Sequence, residues 1–143
     1  MSELDVPYRL GEKASFKKTI TDKDVQSFAE LVGDVNPVHL DEEYAAQTRF
    51  KGRIVHGALV AGLISTVLGN SLPGPGAVYL SQKTDFIWPV RLGDMVTATV
   101  EVVDIRADKP VITLRTYCVN QNGKTVIDGE AVVLIEGKRS EIV

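Results

Sequence analysis

Apolar positions along this chain repeat first every three to four residues and later every two. Val25, Phe28, Ala29 and Val32 fall at i, i+3, i+4 and i+7, the stripe of an amphipathic helix. Thr21-Asp22-Lys23-Asp24 resembles a capping box, with Asp24 in place of the more usual Glu or Gln, so the helix starts there; Gly33 suits the left-handed position that ends it. Ser15 to Ile20 reads as a short strand ahead of it. Ala58 to Leu68 is apolar on nearly every face apart from Ser65 and Thr66, which predicts a helix buried all round and ended by Gly69. At about 1.5 Å per residue it spans roughly 16 Å, far short of a bilayer. Beyond the turn-rich Pro73-Gly74-Pro75-Gly76 the period becomes two, and Ala77 to Glu136 reads as strands. Val96, Ala98, Val100 and Val102 alternate with Thr97, Thr99, Glu101 and Val103; Ile112, Leu114, Thr116 and Cys118 alternate with Thr113, Arg115 and Tyr117. Asn122-Gly123 marks a hairpin between 111–120 and 125–136, and Leu92-Gly93-Asp94 and Arg106 to Pro110 mark further turns. The expectation is an α+β architecture, with an antiparallel sheet of about five strands around a long central helix.

Composition narrows the setting. The 143 residues suit one domain, 1–143, with Gly137 to Val143 as a frayed tail. Sixteen Lys+Arg against nineteen Asp+Glu leave a net charge of −3, which offers no overall footprint for nucleic acid or an anionic membrane. A single cysteine, Cys118, excludes an internal disulfide framework and a cysteine zinc site, and its alternating apolar surroundings are those of a small core residue. Met1 to Asp5 lacks the regions of a secretory signal, and no apolar run reaches about 20 residues. A soluble, reducing, cytoplasmic protein is expected.

The chemistry-bearing residues gather between the two helices. Asp34 sits just past a helix end, and Pro37 pushes Asn36 toward extended geometry, so Asp34 to His39 read as a bent loop whose side chains converge. Asp41 then caps a short helix through Tyr44, Ala45 and Ala46. A carboxylate and an imidazole five residues apart make a proton-handling pair near neutral pH. Asn36, a neutral donor and acceptor on the same loop, orients that pair or a substrate carbonyl. His56-Gly57 opens the apolar helix; free backbone N–H groups and the helix dipole at Gly57 suit developing negative charge, and its missing side chain allows close approach. His56 itself either fixes the start of that helix or joins the catalysis. Asp34, His39 and His56 have the types of metal ligands, yet two histidines with no further clustered ligands give no reason to expect a metal.

Asp34-x-Asn36-Pro37-x-His39, preceded by Phe28 and Gly33 and followed by Ala45 and Ile54-Val55-His56-Gly57, resembles the signature of the R-specific enoyl-CoA hydratases, the MaoC-like or hydratase-2 family. Similarity to the short bacterial members of polyhydroxyalkanoate synthesis extends through Pro73-Gly74-x-Gly76, Tyr79-Leu80, Leu92-Gly93-Asp94 and Gly129-Glu130-Ala131. The resemblance implies a hot dog fold and R-specific hydration of a trans-2-enoyl-CoA to the (3R)-3-hydroxyacyl-CoA, a lyase reaction needing no cofactor because CoA is part of the substrate. It implies that Asp34 and His39 hydrogen-bond the water and that Ser65 matches a serine near the pair. It also implies a homodimer whose sheets join edge to edge. Two other functions fit the same residues: a (3R)-hydroxyacyl-acyl carrier protein dehydratase and a non-catalytic acyl-CoA binding module. Thioesterases share the fold, but the intact motif argues against hydrolysis. Lys51, Arg53, Lys83, Arg91, Arg106 and Lys109 are candidate partners for the CoA phosphates. Leu63, Val67, Leu68 and Val78 to Leu80 are candidates for an acyl tunnel, and Trp88-Pro89 reads as packing.

Overall fold

Reciprocal bonds open the first helix: Asp24 N–H donates to Thr21 Oγ1 at 3.1 Å, and Thr21 N–H donates to Asp24 Oδ2 at 2.9 Å. In the computed structural model, which describes residues 7–136, this capping box starts α1 (Asp22–Val32), and Gly33 closes it in the left-handed region at φ 81°. Val25 and Ala29 are buried, whereas Val32 is 55% exposed, so the buried stripe is narrower than the periodicity suggests. Strand β1 (Lys13–Thr19) precedes α1; α2 (Pro37–Leu40), α3 (Glu42–Ala46) and the long α4 (Gly57–Asn70) follow it. The frayed tail expected at Gly137 to Val143 lies outside the described residues.

Four further strands complete one sheet: β2 (Ala77–Phe86), β3 (Met95–Ile105), β4 (Val111–Val119) and β5 (Thr125–Ile135). All pairs are antiparallel, in the order β1-β3-β4-β5-β2. Period-two alternation is realised residue for residue, since Val96, Ala98, Val100 and Val102 of β3 and Ile112, Leu114, Thr116 and Cys118 of β4 are all buried. In-register pairs such as Val100 with Thr116 and Leu114 with Ala131 put those side chains on one face. Against that face α4 lays Val60, Leu63, Ile64, Val67 and Leu68. This is the hot dog arrangement, a sheet against a central helix.

Three expectations need correction. Helix α4 is not buried all round: Ala58, Gly62 and Ser65 are exposed, because the sheet covers one side of it only. It also runs through Gly69 to Asn70, since a lone glycine does not stop a helix whose neighbours are held by packing. Leu63, Val67 and Leu68 belong to the core, and Val78, Tyr79 and Leu80 lie exposed at 44%, 42% and 54% on the edge strand β2.

Gly129 of β5 stands opposite Thr84 and Thr116, and a Cβ there would be driven into the Lys83 carbonyl oxygen. Gly129→Ala is expected to lower unfolding free energy by about 1–3 kcal/mol, read as an earlier urea midpoint; an unchanged midpoint would contradict the close pairing of β2 and β5.

Candidate active site

The turn after α1 delivers the acidic residue. Gly33 N–H bonds to Ala29 O at 2.8 Å, and the chain then folds back as Asn36 N–H donates to Asp34 Oδ1 at 3.2 Å. The segment expected as a bent loop becomes helical at Pro37: proline needs no N–H at the first helical position, and Asn36 Oδ1 caps the turn by accepting Val38 N–H at 3.2 Å. His39 therefore sits on a single helical turn, α2. Arg53 braces it, with Nε on the His39 carbonyl at 2.7 Å and Nη2 on Asp22 Oδ1 at 2.7 Å.

Each histidine is oriented by a backbone carbonyl. His39 Nδ1 meets Ile54 O at 2.8 Å, and His56 Nε2 meets Asp34 O at 3.1 Å. A carbonyl oxygen only accepts, so both contacted nitrogens carry hydrogen, leaving His39 Nε2 with a free lone pair. Burial pushes the His39 imidazole below its ordinary pKa; the charge of nearby His56 acts in the same direction, while the Ile54 carbonyl and the Asp34 carboxylate oppose it. The two rings stack at 3.9 Å between centroids, tilted by 30°, and Phe28 packs against His56 at 4.9 Å. A carboxylate oxygen of Asp34 and one nitrogen each of His39 and His56 all lie within 4.8 Å of one another. An imidazole binds a metal through a bare ring nitrogen at about 2.1 Å; His39 Nδ1 and His56 Nε2 are already taken up by the Ile54 and Asp34 carbonyls.

Beside the trio begins α4. Its N-cap is His56, whose side chain makes no capping bond, while its carbonyl accepts Leu59 N–H at 3.1 Å and Val60 N–H at 3.3 Å. The N–H groups of Gly57 and Ala58 have no partner among the described residues. Phe86 lies so close that a Cβ on Gly57 would come within 2.7 Å of its ring. A mostly apolar cavity of about 560 Å³ adjoins His39, Gly57 and Ala58, walled by Phe50, Phe86 and Trp88 among others.

Asp34, Asn36, His39 and Gly57 thus share one region. Ser65 stands elsewhere, on the exposed side of α4, about 12 Å along the axis from Gly57 and near Tyr79. Trp88, expected only to pack, walls the cavity with Lys124 Nζ 3.9 Å from its ring centre. Of the candidate phosphate partners, Arg53 holds Asp22, Arg91 holds Gly52 O at 3.3 Å and Arg106 holds Asp108 at 2.7 Å; Lys51 and Lys83 make no ion pair among the described residues. Cys118 is buried and its thiol is pushed up to about 12 by desolvation, which removes it from the chemistry. Phe86 and Phe50 escaped the sequence reading because an aromatic that walls a cavity has the same local pattern as one that fills a core.

A histidine whose pKa is depressed by folding resists a proton that the unfolded chain accepts. Its contribution to stability is therefore full above the usual imidazole value near 6.5 and is lost as pH falls from there through the folded value. Proton NMR should show His39 titrating below about 6.5; a midpoint at or above it would contradict the buried, carbonyl-tied geometry.

Comparison with known proteins places these features in a family. Residues 6–124 match the model of the MaoC-like domain. The chain is 51% identical over 128 residues to the (R)-specific enoyl-CoA hydratase of Rhodospirillum rubrum, covering 90% of this chain and 88% of that one. It is 46% identical over 142 residues to the 3-hydroxybutyryl-CoA dehydratase of Methylorubrum extorquens, covering 96% and 90%. The solved (R)-hydratase of Aeromonas caviae, described as involved in polyhydroxyalkanoate biosynthesis, superposes with a TM-score of 0.88 at 46% identity, over 91% of this chain and 98% of that one. With its matching motif, sheet order and polar trio at a helix start, this chain belongs to the MaoC-like domain family.

Proposed function

We propose that this protein is an R-specific enoyl-CoA hydratase, a hydro-lyase that adds water across the double bond of a trans-2-enoyl-CoA to give the (3R)-3-hydroxyacyl-CoA. The observation that carries the reading is the spacing of Asp34 and His39, whose polar atoms lie within 4.8 Å. One water bonded to two groups at about 2.8 Å with a tetrahedral angle spans roughly 4.6 Å. Identity of 51% to a named R-specific hydratase supports the substrate class and the stereochemistry.

The reaction adds a hydroxyl at C3 and a hydrogen at C2, through a state with enolate-like charge on the thioester oxygen. Asp34 and the free Nε2 of His39 hold the water, its proton passes to this pair as oxygen bonds to C3, and a proton from the site completes C2. The unpartnered N–H groups of Gly57 and Ala58, at the positive end of α4, receive the developing charge. Phe86 packs over Gly57 at the edge of the cavity, lowering the local polarity in which a fixed dipole acts. Asn36 sets the spacing of the pair by capping α2 and bonding Asp34. Substrate CoA enters as a reactant, so no cofactor is required.

A second copy of the chain completes the molecule. Strand β2 forms a ten-residue sheet edge with Val78, Tyr79, Leu80 and Phe86 exposed, and the uncovered face of α4 carries Ala58, Gly62 and Ser65. An apolar edge of that length invites a partner strand, and pairing of β2 with its copy about a two-fold axis covers both surfaces. Ser65 then lies under the partner. No described helix is long and apolar enough to cross a membrane, and a buried free cysteine fits the reducing cytoplasm.

Purified protein should consume the enoyl absorbance of crotonyl-CoA, and Asp34→Asn and His39→Ala should each cut kcat by at least about 100-fold. Turnover untouched by both substitutions would overturn the assigned roles, and faster turnover of an acyl carrier protein thioester would transfer the reaction to that substrate. Sedimentation at micromolar concentration should give twice the 15.6 kDa chain mass; a strict monomer would refute the β2 interface.

A further inference from the structure

We propose that His56 is a positioning residue for this hydration, a buried side chain that ties Asp34, His39 and the start of α4 into one unit. The inference rests on the hydratase reading and goes beyond it. His56 is 1% exposed, and three different parts of the site are set by it. Its Nε2–H donates to the Asp34 carbonyl at 3.1 Å, which fixes the backbone that carries the carboxylate. One face of its ring lies on His39 at 3.9 Å, with Phe28 packed at 4.9 Å to hold it there. Its own carbonyl caps the first turn of α4, just ahead of the open N–H groups of Gly57 and Ala58. A shift of this ring therefore moves the water-holding pair and the oxyanion donors relative to each other, and misplacement of about 1 Å costs on the order of 100-fold in rate.

The remaining nitrogen costs the fold stability. With hydrogen on Nε2, Nδ1 carries a lone pair that is buried and meets no donor. A phenylalanine would keep a stacked ring without an unsatisfied polar atom, although its larger ring needs the packed site to give slightly. What it would lose is the bond to Asp34. The charged and titratable groups around the neighbouring His39 are the Asp34 carboxylate from the loop before α2, the His56 imidazole at the start of α4, and the Arg53 guanidinium on His39's own carbonyl.

Steady-state kinetics, pH profiles and thermal melts of His56→Phe and His56→Gln test the proposal. In His56→Phe, kcat per folded molecule should fall at least about tenfold while KM stays within about threefold. The acid limb of its kcat profile should move to higher pH, because the neighbouring imidazole that opposes protonation of His39 is gone. His56→Gln keeps an N–H donor for Asp34 without the stack and should recover part of the lost kcat. The proposal is overturned if kcat of His56→Phe stays within about threefold of the parent, or if the acid limb is unmoved while the variant melts earlier and keeps full activity per folded molecule. An inactive parent would refute the hydratase reading; an active parent with an indifferent His56 would refute this proposal alone.

Discussion

Val60, Leu63, Ile64, Val67 and Leu68 press α4 against the sheet, and that burial decides where the helix begins. Each such side chain contributes about 1.5–3 kcal/mol when fully buried, so together they outweigh the roughly 1–3 kcal/mol that an unsatisfied buried nitrogen costs. The helix start can therefore carry an imperfectly satisfied His56 and open N–H groups at Gly57 and Ala58 without unravelling. Rigidity comes from the apolar side of α4, and the open N–H groups lie at its start.

Two backbone carbonyls divide the labour between otherwise similar imidazoles. Ile54 O holds the proton on His39 Nδ1 and leaves Nε2 open; Asp34 O holds the proton on His56 Nε2 and leaves a nitrogen that faces nothing. One ring thereby presents a free lone pair beside the cavity, and the other lies stacked against it. Desolvation adds to this by keeping His39 neutral over a wider range of pH than a free imidazole.

Much of this was legible in the residues. Capping box, left-handed glycine, Asn-Gly hairpin and the alternation in β3 and β4 are local patterns, and each element appears where its pattern lies. Asp34 and His39 were legible too, because the motif that joins them spans six residues. Other features were not. The single helical turn at Pro37 competes with the extended preference of a residue preceding proline, and the Asn36 cap tips the balance. Arg53 reads as a phosphate partner by its charge, yet it braces α1 against α2, a use that no local pattern distinguishes.

The sequence by itself determined the order and type of elements, the apolar face of each strand and the placing of Asp34 and His39 in one short segment, because periodicity and short motifs act between near neighbours. Tertiary structure alone decided which carbonyl meets which imidazole nitrogen, since those bonds join residues 15 and 22 positions apart. It also decided that one side of α4 and the edge β2 stay uncovered within the chain, that Phe86 lies over Gly57, and that His56 stacks on His39. Such contacts depend on how a whole sheet lies against a helix, and no window of neighbouring residues contains that information.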